Sequence, residues 1–189
     1  MSWLSVQQIH EIGFGRVGCN VLISDSARFY NPMNIRIGNH VRIDDFCVIS
    51  AGEGGVDIGD HIHIAVFSSI QGAGRVALSD FCNLSSRVSV YSSNDDYSGE
   101  SLTNPTVPDR FKNVKHADVF LGKHVIVGSN SVILPGVVIG QGAAIGALSM
   151  VNSNCDSFCV YAGVPAKKIK NRSSRLLDLE NELRGSDEG

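Results

Sequence analysis

Aliphatic or aromatic residues recur at every sixth position through most of the chain. The series runs through Val17, Ile23, Phe29, Ile37, Ile43, Ile49, Ile58, Ile64, Ile70, Leu78, Leu84 and Val90, and resumes at Leu121, Val127, Ile133, Ile139, Ile145 and Val151. Four residues after most of these stands a small or modest residue, such as Ala27, Cys47 or Ser68. A period of six fits neither a helix of about 3.6 residues per turn nor the two-residue alternation of ordinary strands. The pattern predicts an all-β solenoid in which three short strands close each triangular coil of about 18 residues and both repeated positions point inward.

The spacing between coils predicts one long excursion from this prism. Leu78 and Leu121 are 43 residues apart, whereas Leu121 and Ile139 are 18 apart. Subtracting one coil leaves a protruding loop spanning about residues 94–118, rich in Asn, Pro, Gly and Ser. Loops of this length inside a compact domain are usually functional or disordered.

The ends of the chain lack the six-residue period. Residues 1–16 form an N-terminal segment in which we expect a short helix, and residues 17–172 form the β-helix domain. Residues 173–189 form a C-terminal helix and tail, because Leu176, Leu179 and Leu183 share one helical face.

Composition narrows the function classes. Nineteen acidic and sixteen basic residues give a net charge of -3 without a concentrated basic face, so nucleic acid is not expected as a partner. The chain has no apolar run long enough for a membrane span and no signal-peptide pattern at Met1, which favours a cytoplasmic location without a membrane partner. The five cysteines lack zinc-type spacing, so we expect reduced thiols and no metal.

The repeats and the ending Val160-Tyr161-Ala162-Gly163-Val164-Pro165-Ala166-Lys167-Lys168-Ile169 carry a family resemblance. They resemble the hexapeptide acyltransferases, particularly the galactoside and maltose O-acetyltransferase branch. The resemblance implies a left-handed parallel β-helix, acetyl-CoA as the donor, and a homotrimer with active sites between neighbouring chains. It further implies that an acetyl group passes to a hydroxyl or amine of a sugar or nucleotide sugar, in cell-surface polysaccharide biosynthesis.

The same motifs imply a coenzyme site. Matching Gly128-Ser129 and Ile145-Gly146-Ala147 to the family's repeats implies that Ser129 and Ala147 offer backbone groups to the pantetheine arm. Asn152 and Ser153 match a Thr-Lys pair after the last coil. Lys167 and Lys170 match basic residues that meet the coenzyme's phosphates, although a solvated basic stretch would look the same.

The catalytic position departs from the family. Sugar acetyltransferases carry a His just after a strand, where this chain has Asp95. An ordinary aspartate is a weak base, with a pKa of about 3.9. Repulsion from Asp96 would raise one of the two pKa values, whereas an Asx turn opening the loop would explain the same residues without catalysis. An amine acceptor eases the difficulty, because it loses its proton far more readily than a hydroxyl.

Other side chains are candidates for the base and for acceptor binding. His63 follows Arg42 and precedes Asn83 in the coil register, and could meet Asp95 only across a subunit boundary. His116, at the end of the loop, is a second candidate base. His40, His61 and His124 share one repeat position and are expected to form an outward ladder. Asp96, Tyr97 and Arg87 are candidate acceptor-binding groups.

Three alternatives remain open from the sequence. An antibiotic acetyltransferase would use the same fold and donor. A non-catalytic scaffold or sugar-binding module would bind no coenzyme A. A γ-type carbonic anhydrase would need zinc-ligating histidines, but the pairs His61/His63 and His116/His124 have the wrong separations.

Overall fold

A computed structural model of the chain describes residues 2–186, most of which wind into a triangular prism. Strands from successive coils pair in parallel and form the three faces of the prism. The predicted all-β solenoid, a left-handed parallel β-helix with a protruding loop and a short C-terminal helix, is confirmed. The tail at residues 187–189 lies outside the described residues.

Each face takes one strand from each coil. The first face comprises Arg16–Val17, Ile35–Ile37, Val56–Ile58, Val76–Leu78, Val119–Leu121 and Val138–Ile139. The second face comprises Leu22–Ile23, Arg42–Ile43, His63–Ile64, Asn83–Leu84, Ile126–Val127, Ala144–Ile145 and Cys159–Gly163, followed by the antiparallel strand Ala166–Asn171. The third face comprises Arg28–Tyr30, Val48–Ala51, Ser69–Gly72, Ser89–Tyr91, Val132–Ile133 and Met150–Val151.

The inward positions stack on one another from coil to coil. On the second face, Ile43, Ile64, Leu84 and Val127 are in register and fully buried. Burying each such side chain contributes about 1.5–3 kcal/mol. This ladder fixes the register, because a slip by one residue would turn every aliphatic side chain outward.

Each coil turns from the first to the second face through a residue in the left-handed conformation. These residues are Asn20, His40, His61, Phe81, His124, Gly142 and Phe158, with φ between 52° and 68°. Four of the rings stack outside the prism in the order His40, His61, Phe81 and His124, with centroids 4.6–4.8 Å apart. The expected ladder of His40, His61 and His124 is therefore confirmed, and Phe81 completes it.

The protruding loop is closed at its base. Ser93–Asn94 pairs antiparallel with Lys115–His116, and the loop contains a 3-10 turn at Asp109–Phe111. The six-residue pattern gives no sign of this pairing, because the two short strands lie outside the repeat.

Two helices flank the prism. Helix α1 spans Val6–Ile12, begins at a capping box between Ser5 and Gln8, and buries Ile9 against the first coils. Helix α2 spans Leu176–Ser186, and its Leu176, Leu179 and Leu183 line one small cavity together with Phe81 and His124. No helix within residues 2–186 is long and apolar enough to cross a membrane.

A buried carboxylate anchors α2. Glu180 is 7% exposed and accepts hydrogen bonds from Lys123, from His124 Nε2 (2.7 Å) and from Arg184 Nε (2.7 Å). Burial alone would raise the pKa of Glu180, but these hydrogen bonds outweigh it and lower the pKa to about 2. The ionised form is therefore the one that the folded protein stabilises.

We predict that Glu180→Gln lowers the melting temperature at pH 7, because Lys123, His124 and Arg184 lose the charge they surround. A lowered pKa contributes stability that is complete above the unfolded value, near 4.3, and is lost as pH falls towards about 2. The gap between the two proteins' melting temperatures should therefore shrink below pH 4.5. The exposed neighbour Glu182, changed to Gln, is the matched control, and an equal gap at pH 7 and pH 2.5 would contradict the anchor.

Candidate active site

A cavity opens where the third face meets the base of the loop. It has a volume of about 450 Å³ and is lined by Tyr91, Ser93, Asn94, Asp95, Tyr97, Val132 and Leu134. Tyr91, Val132 and Leu134 come from the strands or the strand end of the face, whereas Asp95 and Tyr97 begin the loop. The cavity thus brings together Asp95 and Tyr97, two of the residues singled out from the sequence.

Ser93 connects this cavity to His116. Its register partner in the loop-base hairpin is His116, and its Oγ lies 2.7 Å from His116 Nδ1. The backbone N–H of Ala73 donates to the same Oγ, also at 2.7 Å. Because alternate residues of a strand share a face, His116 lies on the Ser93 side of the hairpin, where Asp95 follows two residues later. No sequence pattern points to Ser93, since its pairing with His116 depends on how the loop returns.

Asp96 is held in a turn rather than against Asp95. Its Oδ1 accepts a hydrogen bond of 2.9 Å from the backbone N–H of Ser98, which is an Asx turn. Hydrogen bonds from the backbone and side chain of Ser98, a further one from Ser101 and the charge of Lys115 lower the pKa of Asp96. The expectation that repulsion between adjacent carboxylates raises a pKa is therefore wrong for Asp96, and the Asx-turn interpretation is confirmed.

His63 belongs to a separate cluster on the second face. Asp44 is 4% exposed, and its carboxylate accepts from Arg42 Nε at 2.7 Å and pairs with His63 Nε2 at 2.8 Å. Burial opposes ionisation of Asp44, but the hydrogen bonds from Arg42 and His63 prevail and lower its pKa. His63 stands between Arg42 and Asn83 as predicted. Within one chain, His63 begins a strand of the second face, whereas Asp95 comes after a strand of the third face.

Two outward rows of residues run along the second face. The first outer row is Arg42, His63, Asn83, Ile126, Ala144, Val160 and Lys170, each the register partner of the next. The second outer row lies two residues further along the chain in each coil, just after the short strands, and ends at Lys167, the register partner of Ala162. It comprises Asp44, Ala65, Ser85, Gly128, Gly146, Ala162 and Lys167. Beyond Ser85, the second outer row offers only small side chains before it reaches Lys167.

A bulge brings the two lysines to the same side. The register between the last two strands shifts between Val160 and Tyr161, so Ile169 has no partner in the ladder. Lys167 and Lys170 therefore lie opposite Ala162 and Val160, which share a face, although they are three residues apart. A regular strand would point them to opposite sides.

The other expected coenzyme-binding residues lie at corners. Ser129 and Ala147 follow the second face in successive coils, and a Cβ at Gly128 would come within 2.4 Å of Ala147 N. Asn152 and Ser153 are exposed just after the last strand of the third face. Their backbone and side-chain groups are thus accessible from outside the prism.

Arg87 stands at the corner between the second and third faces. Its guanidinium lies 4.9 Å from the centroid of Phe67, which stacks on Phe46 at 5.0 Å. Phe46 and Phe67 are both about half exposed. Arg87 does not line the Asp95 cavity.

The described part of the chain, residues 2–186, contains no group of three or more His, Cys, Asp or Glu side chains placed to hold a metal ion. Its five cysteines are free thiols. Burial raises the pKa of Cys47 to about 11 and that of Cys82 to about 12, so these two are unreactive packing residues.

Comparison with known proteins agrees with this geometry. A family model described as bacterial transferase hexapeptide (six repeats) matches residues 118–153. The dTDP-4-amino-4,6-dideoxy-D-glucose acyltransferase of Escherichia coli is 56% identical over 98% of this chain and 97% of its own length. The putative lipopolysaccharide biosynthesis O-acetyl transferase WbbJ of Escherichia coli (strain K12) is 33% identical over 61% of this chain and 57% of its own length.

A solved structure extends the likeness to the whole fold. AntD, an N-acyltransferase from Bacillus cereus in complex with dTDP and 3-hydroxybutyryl-CoA, is 48% identical, with a TM-score of 0.96 over 100% of this chain and 99% of its own. Other AntD structures carry single substitutions of a serine and of an aspartate ten residues apart, the spacing of Ser85 and Asp95 here. The expected acyltransferase resemblance is confirmed. The chain belongs to the hexapeptide-repeat family of sugar acyltransferases.

Proposed function

We propose that this protein transfers an acyl group from a coenzyme A thioester to the amino group of a dTDP-4-amino-4,6-dideoxy sugar. The observation that carries the proposal is Asp95 at the cavity, in the place of the family's histidine. The E. coli and B. cereus relatives, which are named for an amino-sugar acceptor and for N-acyl transfer, support it.

The carboxylate suits an amine better than a hydroxyl. A hydroxyl must be deprotonated as it attacks, which requires a base with a pKa near 7. An amine needs only to be held in place and to lose the proton that it carries as an ammonium ion. Asp95 would attract that ammonium group into the cavity and orient its nitrogen towards the thioester, while Tyr97 would contact the sugar.

The second face would hold the donor. From Ser85 to Lys167 the second outer row crosses four strand spacings, or about 19 Å at about 4.8 Å each. Gly128, Gly146 and Ala162 leave room along it for a flexible arm to lie against the backbone. In the proposal, Lys167 and Lys170 meet the coenzyme's phosphates, and Ser129, Ala147, Asn152 and Ser153 offer it polar groups.

We also propose that the working enzyme is a homotrimer. Ser85 and Asp95 have the spacing of the serine and aspartate substituted in the AntD structures, so we infer that both contact the acceptor. Ser85 lies on the second face and Asp95 lies just after a strand of the third face, so one acceptor would contact both across a boundary between chains. The corner between these faces exposes Phe46, Phe67 and Leu148, which are 55%, 48% and 69% exposed. Apolar side chains aligned in this way mark an interaction surface.

The proposed setting follows from the substrates. Nucleotide sugars and acetyl-CoA are both cytoplasmic, and acylated amino sugars are building blocks of bacterial surface polysaccharides. The likeness to a lipopolysaccharide-biosynthesis transferase favours that use. We therefore place the enzyme in the cytoplasm, in cell-surface polysaccharide biosynthesis.

We predict that purified enzyme acylates dTDP-4-amino-4,6-dideoxyglucose, with acetyl-CoA and 3-hydroxybutyryl-CoA as the donors to compare, and does not acylate the matching 4-hydroxy sugar. Asp95→Asn should lower kcat/KM for the acceptor about 10- to 100-fold, because a charge-assisted hydrogen bond is worth about 1.5–3 kcal/mol. The rate at which the coenzyme A thiol is released measures both the choice of acceptor and the effect of Asp95→Asn.

Asp109→Asn is the control for Asp95, because Asp109 is an exposed carboxylate in the same loop. His63→Ala tests whether the Asp44–His63 pair serves the same reaction across the subunit boundary. Equal turnover of amine and hydroxyl acceptors, or an Asp95→Asn protein within threefold of wild type, would refute the assignment.

Lys167→Ala and Lys170→Ala should each raise KM for acyl-CoA about fivefold, the loss expected from roughly 1 kcal/mol per exposed charge contact. The defect should fade as salt screens the phosphates, with kcat nearly unchanged. Lys168 pairs with Asp156 at 3.7 Å and lies opposite Tyr161, so Lys168→Ala should leave KM unaltered. If Lys167→Ala and Lys170→Ala change the KM for acyl-CoA no more than Lys168→Ala does, Lys167 and Lys170 do not bind the donor.

Sedimentation equilibrium should give three times the chain mass of 20.2 kDa. Phe67→Asp, which places a charge on the exposed corner, should release monomers and abolish turnover together. Met33→Asp, at a side chain that is 78% exposed in a 3-10 turn, should remain a trimer. An active monomer would contradict a site shared between chains.

A further inference from the structure

The side-chain hydroxyl of Ser93 has two hydrogen-bond partners, the backbone N–H of Ala73 and Nδ1 of His116, although the hairpin itself is paired through the backbone. A serine hydroxyl has one proton to donate and two lone pairs to accept with. The N–H of Ala73 occupies one lone pair, and the proton is directed at His116 Nδ1 when the neutral ring carries its own proton on Nε2. One lone pair remains, and Ser93 lines the cavity that contains Asp95.

The histidine is placed to exchange protons with water. With Nδ1 accepting from Ser93, the neutral ring carries its proton on Nε2, and the residue is exposed on the outside of the hairpin. The charged neighbours in the hairpin are Lys115, across from Asn94, and Asp95 on the cavity side. The adjoining Ala73 and Gly74 carry no charge, and Arg75 is paired with Asp57 and hydrogen bonded to Asp118.

Resting on the proposed function, we propose that Ser93 and His116 form a proton relay that deprotonates the acceptor's ammonium group within the same chain as Asp95. The ammonium N–H donates to the free lone pair of Ser93 Oγ. As its proton moves to Oγ, the original hydroxyl proton moves to His116 Nδ1. Ser93 remains a neutral hydroxyl throughout.

The hydrogen bonds remain complete after the transfer. His116 is now an imidazolium, and its Nδ1–H donates to Ser93 Oγ, whose two lone pairs are then filled by Ala73 and His116. The hydroxyl proton points back to the cavity, towards the neutral amine or Asp95. The relay thus has two states that differ only in proton positions, so no heavy atom needs to move.

The reaction balances without a further reactant. The neutral amine attacks the thioester carbonyl carbon, so a C–N bond forms and the C–S bond breaks. The nitrogen loses one more proton, and the departing thiolate takes up one, giving the amide and the coenzyme A thiol. His116 gives its Nε2 proton to water, which leaves the ring proton on Nδ1. The starting tautomer returns when Nε2 takes a proton from water and the Nδ1 proton moves back to Ser93 Oγ, whose hydroxyl proton passes to water in the emptied cavity.

The relay explains why Asp95 need not act as a base. A carboxylate attracts an ammonium ion through its charge but is a much weaker base than an amine, so it accepts the proton poorly. An imidazole is a stronger base than a carboxylate and is better matched to that proton. In this arrangement Asp95 binds the charged acceptor, and His116, acting through Ser93, removes the charge.

The test is the pH dependence of kcat/KM for dTDP-4-amino-4,6-dideoxyglucose with acetyl-CoA in wild type, His116→Asn, Ser93→Ala and Ser93→Thr. We expect His116→Asn and Ser93→Ala to lose about 100-fold at pH 6.5, within the range for a proton-transfer group. Their deficit should close as the pH rises above the pKa of the acceptor amine, which then arrives neutral. Ser93→Thr keeps the hydroxyl and should stay within a few-fold of wild type.

Chemical rescue separates proton transfer from support of the loop. Imidazole added to His116→Ala should restore turnover in proportion to its unprotonated form, while Ser93→Ala should not respond. His10→Ala removes an exposed histidine from α1 and is the control. Melting temperature and coenzyme A binding, measured alongside, establish that each variant is folded.

The outcomes distinguish the relay from the reaction that it serves. A deficit that is equal at every pH, an absence of imidazole rescue, or His116→Asn within threefold of wild type would overturn the relay while wild type still acylates the amine. A wild-type enzyme with no turnover of the amino sugar would overturn the proposed function and the relay with it.

Discussion

The in-register stacking of inward aliphatic side chains is the interaction on which the three faces of the prism depend. Ile43, Ile64, Leu84 and Val127 lie directly above one another, and each is excluded from water. Because strand residues alternate between faces, fixing the inward row also fixes the outward rows beside it. Arg42, His63 and Asn83 are aligned outside for the same reason that Ile43, Ile64 and Leu84 are aligned inside. The arrangement of the outward side chains is therefore a consequence of the core.

That dependence explains how much could be predicted from the sequence. The six-residue period identified the inward row, and it placed His63 between Arg42 and Asn83, as the structure does. Prediction from this period failed wherever the chain departs from the six-residue repeat. Ile169 falls out of register at the final strand pair, which turns Lys170 to the same side as Lys167. The contact of Ser93 with His116 depends on the return of the long loop, which no periodicity describes.

Side-chain partners were also beyond the sequence pattern. Asp44 looks like one more polar residue after a strand, yet it is 4% exposed and held by Arg42 and His63. Asp96 looks equivalent to Asp95, but the Ser98 N–H fixes Asp96 in a turn, and Asp95 is the carboxylate among the residues that line the cavity. In both cases the difference arises from contacts a few ångströms long that depend on backbone direction, which residue identity alone does not specify.

An aspartate where the family resemblance leads us to expect a histidine changes which part of the reaction the protein must supply. With a hydroxyl acceptor, the proton is lost as the bond forms, so the base must touch the attacking atom. With an ammonium acceptor, the proton must leave before attack, and the base can act from a distance through a hydroxyl that already donates to it. Ser93 lines the cavity and lies 2.7 Å from His116, which stands outside it, so the pair meets that weaker requirement. The cavity then needs a negative charge more than it needs a base, and Asp95 provides it.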